Sequence, residues 1–530
     1  MTTPVAGPPG GRADDARLRG GGHVVHPRRP LAPRAAFGFA ALALLAPAVL
    51  PGPLGAQEVR GQLTTTLRFW QLRPLVRDTV PPDSVESGFG GRPEFRGQPL
   101  DCEPSGECVR LAQGGRADAL GLTQDLSITA WDLGMPGLSA TALLRGRWNA
   151  AGDLALPRTD DPFDAILAYA EYVRGPVRAR AGRLRALGGL GSSGYDGAEV
   201  RVDPWAPVSA AAYGGRSLAR GLEEPRDEIL AGIDDFAPRR GAYLIGGTVA
   251  VRPAPGSAIG LRYQREILSD RSALLSERVS LDARVDAPLG LRVSGGADYD
   301  FAFGRVGKAS ISVARALPAA RARVVATARR YVPYFELWTI WGFFSPVAYH
   351  EGELAAAWSP AETASLTASA AYRRYGDADA PVVFDPLEED ALRLAASGAW
   401  SPDERWTLRG SYAWENGVGA FRSTGSLRAA WRASETVEVA LRAAAYQQIR
   451  EFRVGEGAVW SGGADGSWAI ADGAALTVGL DAYRQTFENR PSAFDWTQLR
   501  GWSAFTVRFG GEPGASAPRL PPRLLPGGDR

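Results

Sequence analysis

Along most of the chain, apolar and polar residues alternate with period two. In Val279–Asp286 the odd positions Val279, Leu281, Ala283 and Val285 are apolar, and Ser280, Asp282, Arg284 and Asp286 are polar. Leu291, Val293, Gly295, Ala297, Tyr299, Phe301 and Phe303 alternate with Arg292, Ser294, Gly296, Asp298 and Asp300. Trp406, Leu408, Gly410, Tyr412 and Trp414 do the same. Side chains two apart lie on one face of an extended strand, so each such segment presents one apolar and one polar face. No stretch beyond the first 57 residues carries a long helical period. Such a chain can fold only as strand after strand.

The connections alternate too. Compact turns at Gly134–Gly137, Gly175-Pro176, Pro253–Ser257, Asp286–Gly290, Ser401–Glu404 and Ala471–Ala474 interleave with longer segments at 149–162, 216–239, 333–346, 376–389 and 487–495. A meander with every second loop short is the layout of a membrane β-barrel. Trp358, Trp400, Trp431 and Trp468 each precede a short turn. Tyr372, Tyr375, Trp414, Tyr446, Tyr483 and Phe487 stand near the opposite strand ends. These two sets predict two interfacial girdles, whereas a soluble sandwich would carry its aromatics mid-strand. The expected fold is all-β: one antiparallel up-and-down transmembrane barrel of about 22 strands, within roughly 18 to 22, spanning residues 57–509.

Arg28, Arg29 and Arg34 precede the apolar run Ala35–Leu50, which is followed by a small-residue segment ending at Ala56. This reads as a signal peptide cleaved after Ala56, with an unusually long leading region. At 16 residues the run is short of the roughly 20 that a spanning helix needs. The whole chain carries 60 basic and 58 acidic residues. Removing 1–56 takes six arginines and two aspartates, leaving 54 against 56, net −2. Mixed signs near neutrality argue against nucleic acid as a partner. Residues 510–530, rich in Pro, Gly and Arg, are expected to form a disordered tail.

The last alternating segment, Trp502–Phe509, ends on an aromatic residue. It resembles the terminal strand of outer-membrane barrels, which implies recognition by the barrel-assembly machinery through Phe509. The segment Arg178–Val202, "RARAGRLRALGGLGSSGYDGAEVRV", is similar to the Gly-Arg…Asp-Gly hairpin of porin-like and alginate-export-like barrels. That likeness implies a passive channel for ions, small solutes or anionic sugars in a Gram-negative-type outer membrane, in contact with its lipid and lipopolysaccharide. Read from its residues alone, the same stretch is a hairpin whose glycines permit a tight connection. The first strand begins almost at the expected mature N-terminus, so no plug domain is expected.

Polar faces should project into the lumen. The expected pore-lining set is Arg145, Arg147, Arg178, Arg180, Arg284, Arg292, Arg321, Arg323, Arg409, Arg428 and Arg442, with Asp282, Asp298 and Asp300; Asp286 and Glu438 share those faces. Two readings stand: an arginine-rich wall that prefers anions, or Arg–Asp pairs that brace the barrel. Tyr331–His350 packs three Tyr, two Trp and three Phe into twenty residues. Its members Tyr334, Phe335, Trp338, Trp341, Phe343 and Phe344 suit either a girdle or a loop that contacts an apolar or carbohydrate ligand. Cys102 and Cys108 are expected to form a disulfide in the first long loop. No metal site or cofactor is expected.

The function read from these features is porin-like diffusion or export of small solutes, anionic ones among them. One alternative is a structural or adhesive barrel with ligand-binding loops. Another is a rim hydrolase built on His350 beside Glu351 and Glu353. A single histidine in the mature chain speaks against an enzyme.

Overall fold

A computed structural model describes residues 59–510, apart from 74, 89–92, 96–97, 103–105, 152–161, 206, 219–240, 270–273, 333–347, 377–389, 418–419, 452–456 and 488–494. Among the described residues, 22 strands form one antiparallel sheet. In chain order they are β1 (Val59–Leu72), β2 (Ala117–Trp131), β3 (Leu138–Ala151), β4 (Phe163–Arg174), β5 (Val177–Gly188), β6 (Gly191–Trp205), β7 (Val208–Ser217) and β8 (Ala242–Val251). Then come β9 (Ala258–Leu268), β10 (Leu274–Ala287), β11 (Leu291–Asp300), β12 (Arg305–Leu317), β13 (Ala322–Tyr331), β14 (Tyr349–Ala361) and β15 (Ala364–Tyr375). The circuit ends with β16 (Asp390–Trp400), β17 (Trp406–Gly417), β18 (Ala420–Arg432), β19 (Val437–Glu451), β20 (Gly457–Ala471), β21 (Ala474–Phe487) and β22 (Trp496–Phe509).

Each strand pairs with its sequence neighbours, and β22 pairs back onto β1 with register Gly61↔Phe509 through Trp70↔Arg500. Closure leaves no free edge, so every wall strand has a partner on both sides. At a strand spacing of about 4.8 Å and a tilt of about 40°, 22 strands make a cylinder roughly 44 Å across, backbone to backbone. The seam is reinforced on the inside by Thr64 Oγ1 and Thr506 Oγ1, 3.2 Å apart.

Register propagates one parity around the wall. Leu261↔Leu281, Ala356↔Ala368, Gly410↔Leu427 and Leu480↔Gly501 face one way. On that face Leu354, Leu427 and Leu441 are 57%, 67% and 64% exposed. A continuous apolar belt has no stable place in water but matches lipid. No described helix is long and apolar enough to cross a membrane; the wall crosses with strands.

Trp358, Trp400, Trp431 and Trp468 are all exposed on the apolar face near the end with short turns. At the other end only two of the six expected aromatics join the girdle. Tyr372 and Trp414 share the outward parity with Leu392 and Leu394. Tyr375, Tyr446, Tyr483 and Phe487 fall on the inward parity instead, opposite Tyr349, Thr424, Ser461 and Gly457. Nearness to a strand end does not choose a face; the odd or even count along the strand does.

The connection between β1 and β2 carries two small sheets of its own. Leu75–Val80 pairs with Cys108–Gln113, which also pairs with Asp101-Cys102, and Arg110 donates to Asp78 Oδ2 at 2.7 Å. The sulfurs of Cys102 and Cys108 lie 2.01 Å apart there.

Candidate functional site: the lumen and its inward hairpin

The β5–β6 hairpin does not continue the wall to its full height. Gly182, Gly197 and Gly215 are consecutive register partners across β5, β6 and β7. A Cβ on them would stand 2.2, 2.0 and 2.2 Å from backbone oxygens of Ala168, Gly214 and Asp196. Gly182 also has φ +131. Only glycine fits such a line of close approach. Beyond it the hairpin folds over the inner face of β7–β10.

What drives it there is burial. Leu184, Ala186 and Tyr195 from the hairpin pack with Tyr213 and Leu244 of the wall into the barrel's one described apolar cluster. Tyr195 and Leu244 are 0% exposed. Burying two side chains of that size contributes roughly 2 kcal/mol each. Below the apolar cluster lies a buried polar ladder on β9: Arg262, Gln264 and Glu266. Arg262 donates to Tyr213 Oη at 3.0 Å and to the Gly191 carbonyl at 3.3 Å. Gln264 Nε2 donates to Ser193 Oγ at 3.1 Å, and Ser217 Oγ donates to Glu266 at 3.0 Å. The tip presses so closely that a Cβ on Gly189 would meet Asp282 Oδ2 at 2.5 Å and Ser280 Oγ at 2.7 Å. Contacts between strands four apart in the circuit place the tip inside the barrel. The other side of the hairpin leaves Arg185 exposed and Leu187 69% exposed.

The opposite wall carries two charge networks. In the first, the Glu351 carboxylate is 0% exposed and takes Arg329 at 3.1 Å, Arg373 at 2.6 Å and Arg393 at 3.3 Å. Glu415 takes Arg422 at 2.5 Å, Arg373 at 3.7 Å and Arg393 at 3.8 Å; Arg329 also pairs with Glu353. Four arginines thus meet three glutamates over β13–β18. The Arg373 guanidinium lies 4.0 Å from the Tyr349 ring centroid. In the second network Arg409, Arg428 and Arg442 are register neighbours on β17, β18 and β19. Arg428 pairs with Asp465 at 2.5 Å, and Arg442 with Asp465 at 3.2 Å and Asp481 at 3.0 Å. Arg409 is exposed and makes no ion pair among the described residues.

The remaining residues expected in the pore separate by environment. Arg145 pairs with Asp125 at 2.6 Å, Arg180 with Glu171 at 2.5 Å, Arg178 with Glu171 at 3.6 Å and Arg292 with Asp286 at 2.6 Å. Arg147 faces Thr123, Arg284 faces Ser294 and Arg323 faces Ala357, all on the inward parity. Glu438 lies 3.7 Å from Arg428. Arg321 stands in the turn before β13 with φ 50. Asp282 lies under the hairpin tip. Asp298 and Asp300 are buried inward and accept from the backbone amides of Lys308 and Phe303. They hold the short β11–β12 turn.

His350 does not pair with Glu351 or Glu353. It sits on the outward parity between Arg330 and Arg374, while Glu351 and Glu353 face the lumen. Adjacent strand residues point to opposite faces, which removes the imagined catalytic pair. Tyr334, Phe335, Trp338, Trp341, Phe343 and Phe344 lie outside the described residues.

Reading the sequence missed the inward fold of the hairpin and the Arg262–Gln264–Glu266 ladder. One signal was available: glycines recurring at 182, 197, 214 and 215 in consecutive strands.

No protein-family model and no curated protein matches this chain. Among solved structures, the siderophore receptor PirA from Pseudomonas aeruginosa aligns with TM-score 0.49 and 11% identity, over 86% of this chain and 80% of its own. A BenF-like porin from Pseudomonas fluorescens Pf-5 aligns with TM-score 0.38 and 11% identity, over 85% and 99%. The outer membrane protein opdK from Pseudomonas aeruginosa gives TM-score 0.38 and 9% identity, over 85% and 99%. Each is a likeness in outline. The chain's own features set its architecture: a closed, even-stranded barrel with an apolar outer belt and its short turns at one end is an outer-membrane-type β-barrel.

Proposed function

We propose that this protein is an outer-membrane channel for passive passage of small solutes, with a preference for anions. The observation that carries the reading is the arginine-bearing inward wall of a closed barrel, with Arg409 exposed beside Arg428 and Arg442. A preorganised cationic wall lowers the entry barrier for anions, and its paired carboxylates keep the attraction from becoming a trap. A cylinder of this width would be far larger than a small solute, so the β5–β6 hairpin serves as the element that narrows it.

In this reading residues 1–56 are removed at export, and the short turns face the periplasm. Phe509 ends the strand offered to the assembly machinery. The disulfide between Cys102 and Cys108 steadies the first external loop. The protein is not an enzyme.

Planar-bilayer recording tests the proposal. Discrete conductance steps with a reversal potential on the anion side of a KCl gradient are expected. A silent barrel that folds and inserts would favour the adhesive reading. Cation selectivity would end the anion preference.

A further inference from the structure

On the outer surface of β10–β15 the lipid-facing wall is hollowed into an apolar groove of about 800 Å³. Small residues make the hollow: Gly295, Ala309, Ala328 and Gly352 stand where neighbouring strands carry Leu281 and Ile311. A Cβ on Gly352 would have no heavy atom within 4 Å, so the space over it is open. At the loop end the groove terminates in Arg330, His350 and Arg374, which are direct register neighbours on β13, β14 and β15. His350 and Arg374 are exposed, and the exposed Tyr372 marks the aromatic level two residues below Arg374.

Two guanidinium groups and an imidazole in one row, just beyond the aromatic girdle, sit where lipid headgroups begin. The hydrocarbon-facing hollow runs directly beneath them. We infer that this is a binding site for one phosphorylated, multiply acylated glycolipid of the outer leaflet. Its phosphates lie against Arg330 and Arg374, with His350 between them, and an acyl chain fills the groove over Gly352. Charge complementarity argues for this occupant over a second copy of the chain, which would bring like charges together at the same row. Arg330 Nη1 donates to the Val306 carbonyl at 3.0 Å, which holds that guanidinium in the row, and Asp390 is the register partner of Arg374 on the far side. The inference rests on the proposed orientation, with the loop end in the outer leaflet, and is independent of whether the lumen conducts.

Native mass spectrometry of the full barrel in detergent, titrated with diphosphorylated hexa-acyl lipid A, tests it. One molecule should bind per barrel. The R330Q/R374Q variant should weaken that binding roughly 30-fold, and Gly352→Leu should weaken it with the arginines intact. Arg484→Gln, an outward arginine on β21 away from the groove, should leave it unchanged. Heat-modifiable gel mobility confirms that each variant is folded. Equal binding of dephosphorylated lipid A, or of the double variant, overturns the site. So does release of the bound lipid by millimolar inorganic phosphate alone, which would show that the acyl groove contributes nothing. Bilayer recording on the same preparation keeps the two readings apart, since lipid binding without conductance would fail the channel and leave this site standing.

Discussion

The ring of Phe509 lies on the bare Cα of Gly61 across the seam between the last strand and the first; a Cβ there would be 2.2 Å from the ring's Cζ. An aromatic residue resting on a cross-strand glycine shields that backbone and fixes register where the sheet closes on itself. Gly61→Leu should displace the ring and cost about 2 kcal/mol. Thermal unfolding of the variant, of Phe509→Ala and of the double substitution checks this. The double variant should be less damaged than the two single effects added together. Strict additivity would show that the ring and the glycine do not communicate.

Glu351 is the keystone of the first charge network, with Arg329, Arg373 and Arg393 converging on a carboxylate that water does not reach. Glu351→Gln leaves those guanidinium groups facing one another. We expect a loss of about 3 kcal/mol in stability, read from denaturant unfolding in detergent. Replacing Arg373 with Met in the same background should restore part of it. A neutral effect of Glu351→Gln would mean that water reaches this wall.

The hairpin tip makes a separate prediction. Gly189→Leu has no room beside Asp282 and Ser280, so undocking should cost about 1–3 kcal/mol. Arg262→Ala removes the donor to the Gly191 carbonyl. Both variants should raise single-channel conductance, and Gly189→Leu should also add open-channel noise. Unchanged conductance in both would place the narrowing elsewhere.

Arg409 has no partner to mask its charge among the described residues. Arg409→Glu should shift selectivity toward cations by about 1 kcal/mol after screening, roughly fivefold in permeability ratio. Reversal potentials at low and high salt measure it, with the larger shift expected at low salt.

Much of the wall was legible in the sequence, because a strand's two faces are written into adjacent residues. Val279–Asp286 and Trp406–Trp414 announced their faces, the short turns marked one end, and the expected strand number matches the 22 observed. The interior was less legible. Gly189 and Asp282 meet across more than ninety residues of chain, and nothing in local alternation connects them. Arg178–Val202 alternates like any wall strand; only the glycines at its bend set it apart. His350 beside Glu351 looked like a pair because sequence neighbours seem close. In a strand they are the two residues that cannot share a face. Asp298 and Asp300 read as lumen charges, yet their carboxylates serve the backbone of a turn.

The docked hairpin also decides the shape of the route left open. It covers β7–β10 and leaves the arginine networks of β13–β19 bare on the far side. In the proposed channel the passage would therefore follow a crescent rather than a ring. Its concave rim is guanidinium and its convex rim is the Arg185–Leu187 flank of the hairpin. An anionic solute with a greasy end would meet arginine on both banks, Arg409 on one and Arg185 on the other, and an apolar contact at Leu187. Discrimination by molecular polarity would then come from the asymmetry of the passage, with size playing the lesser part.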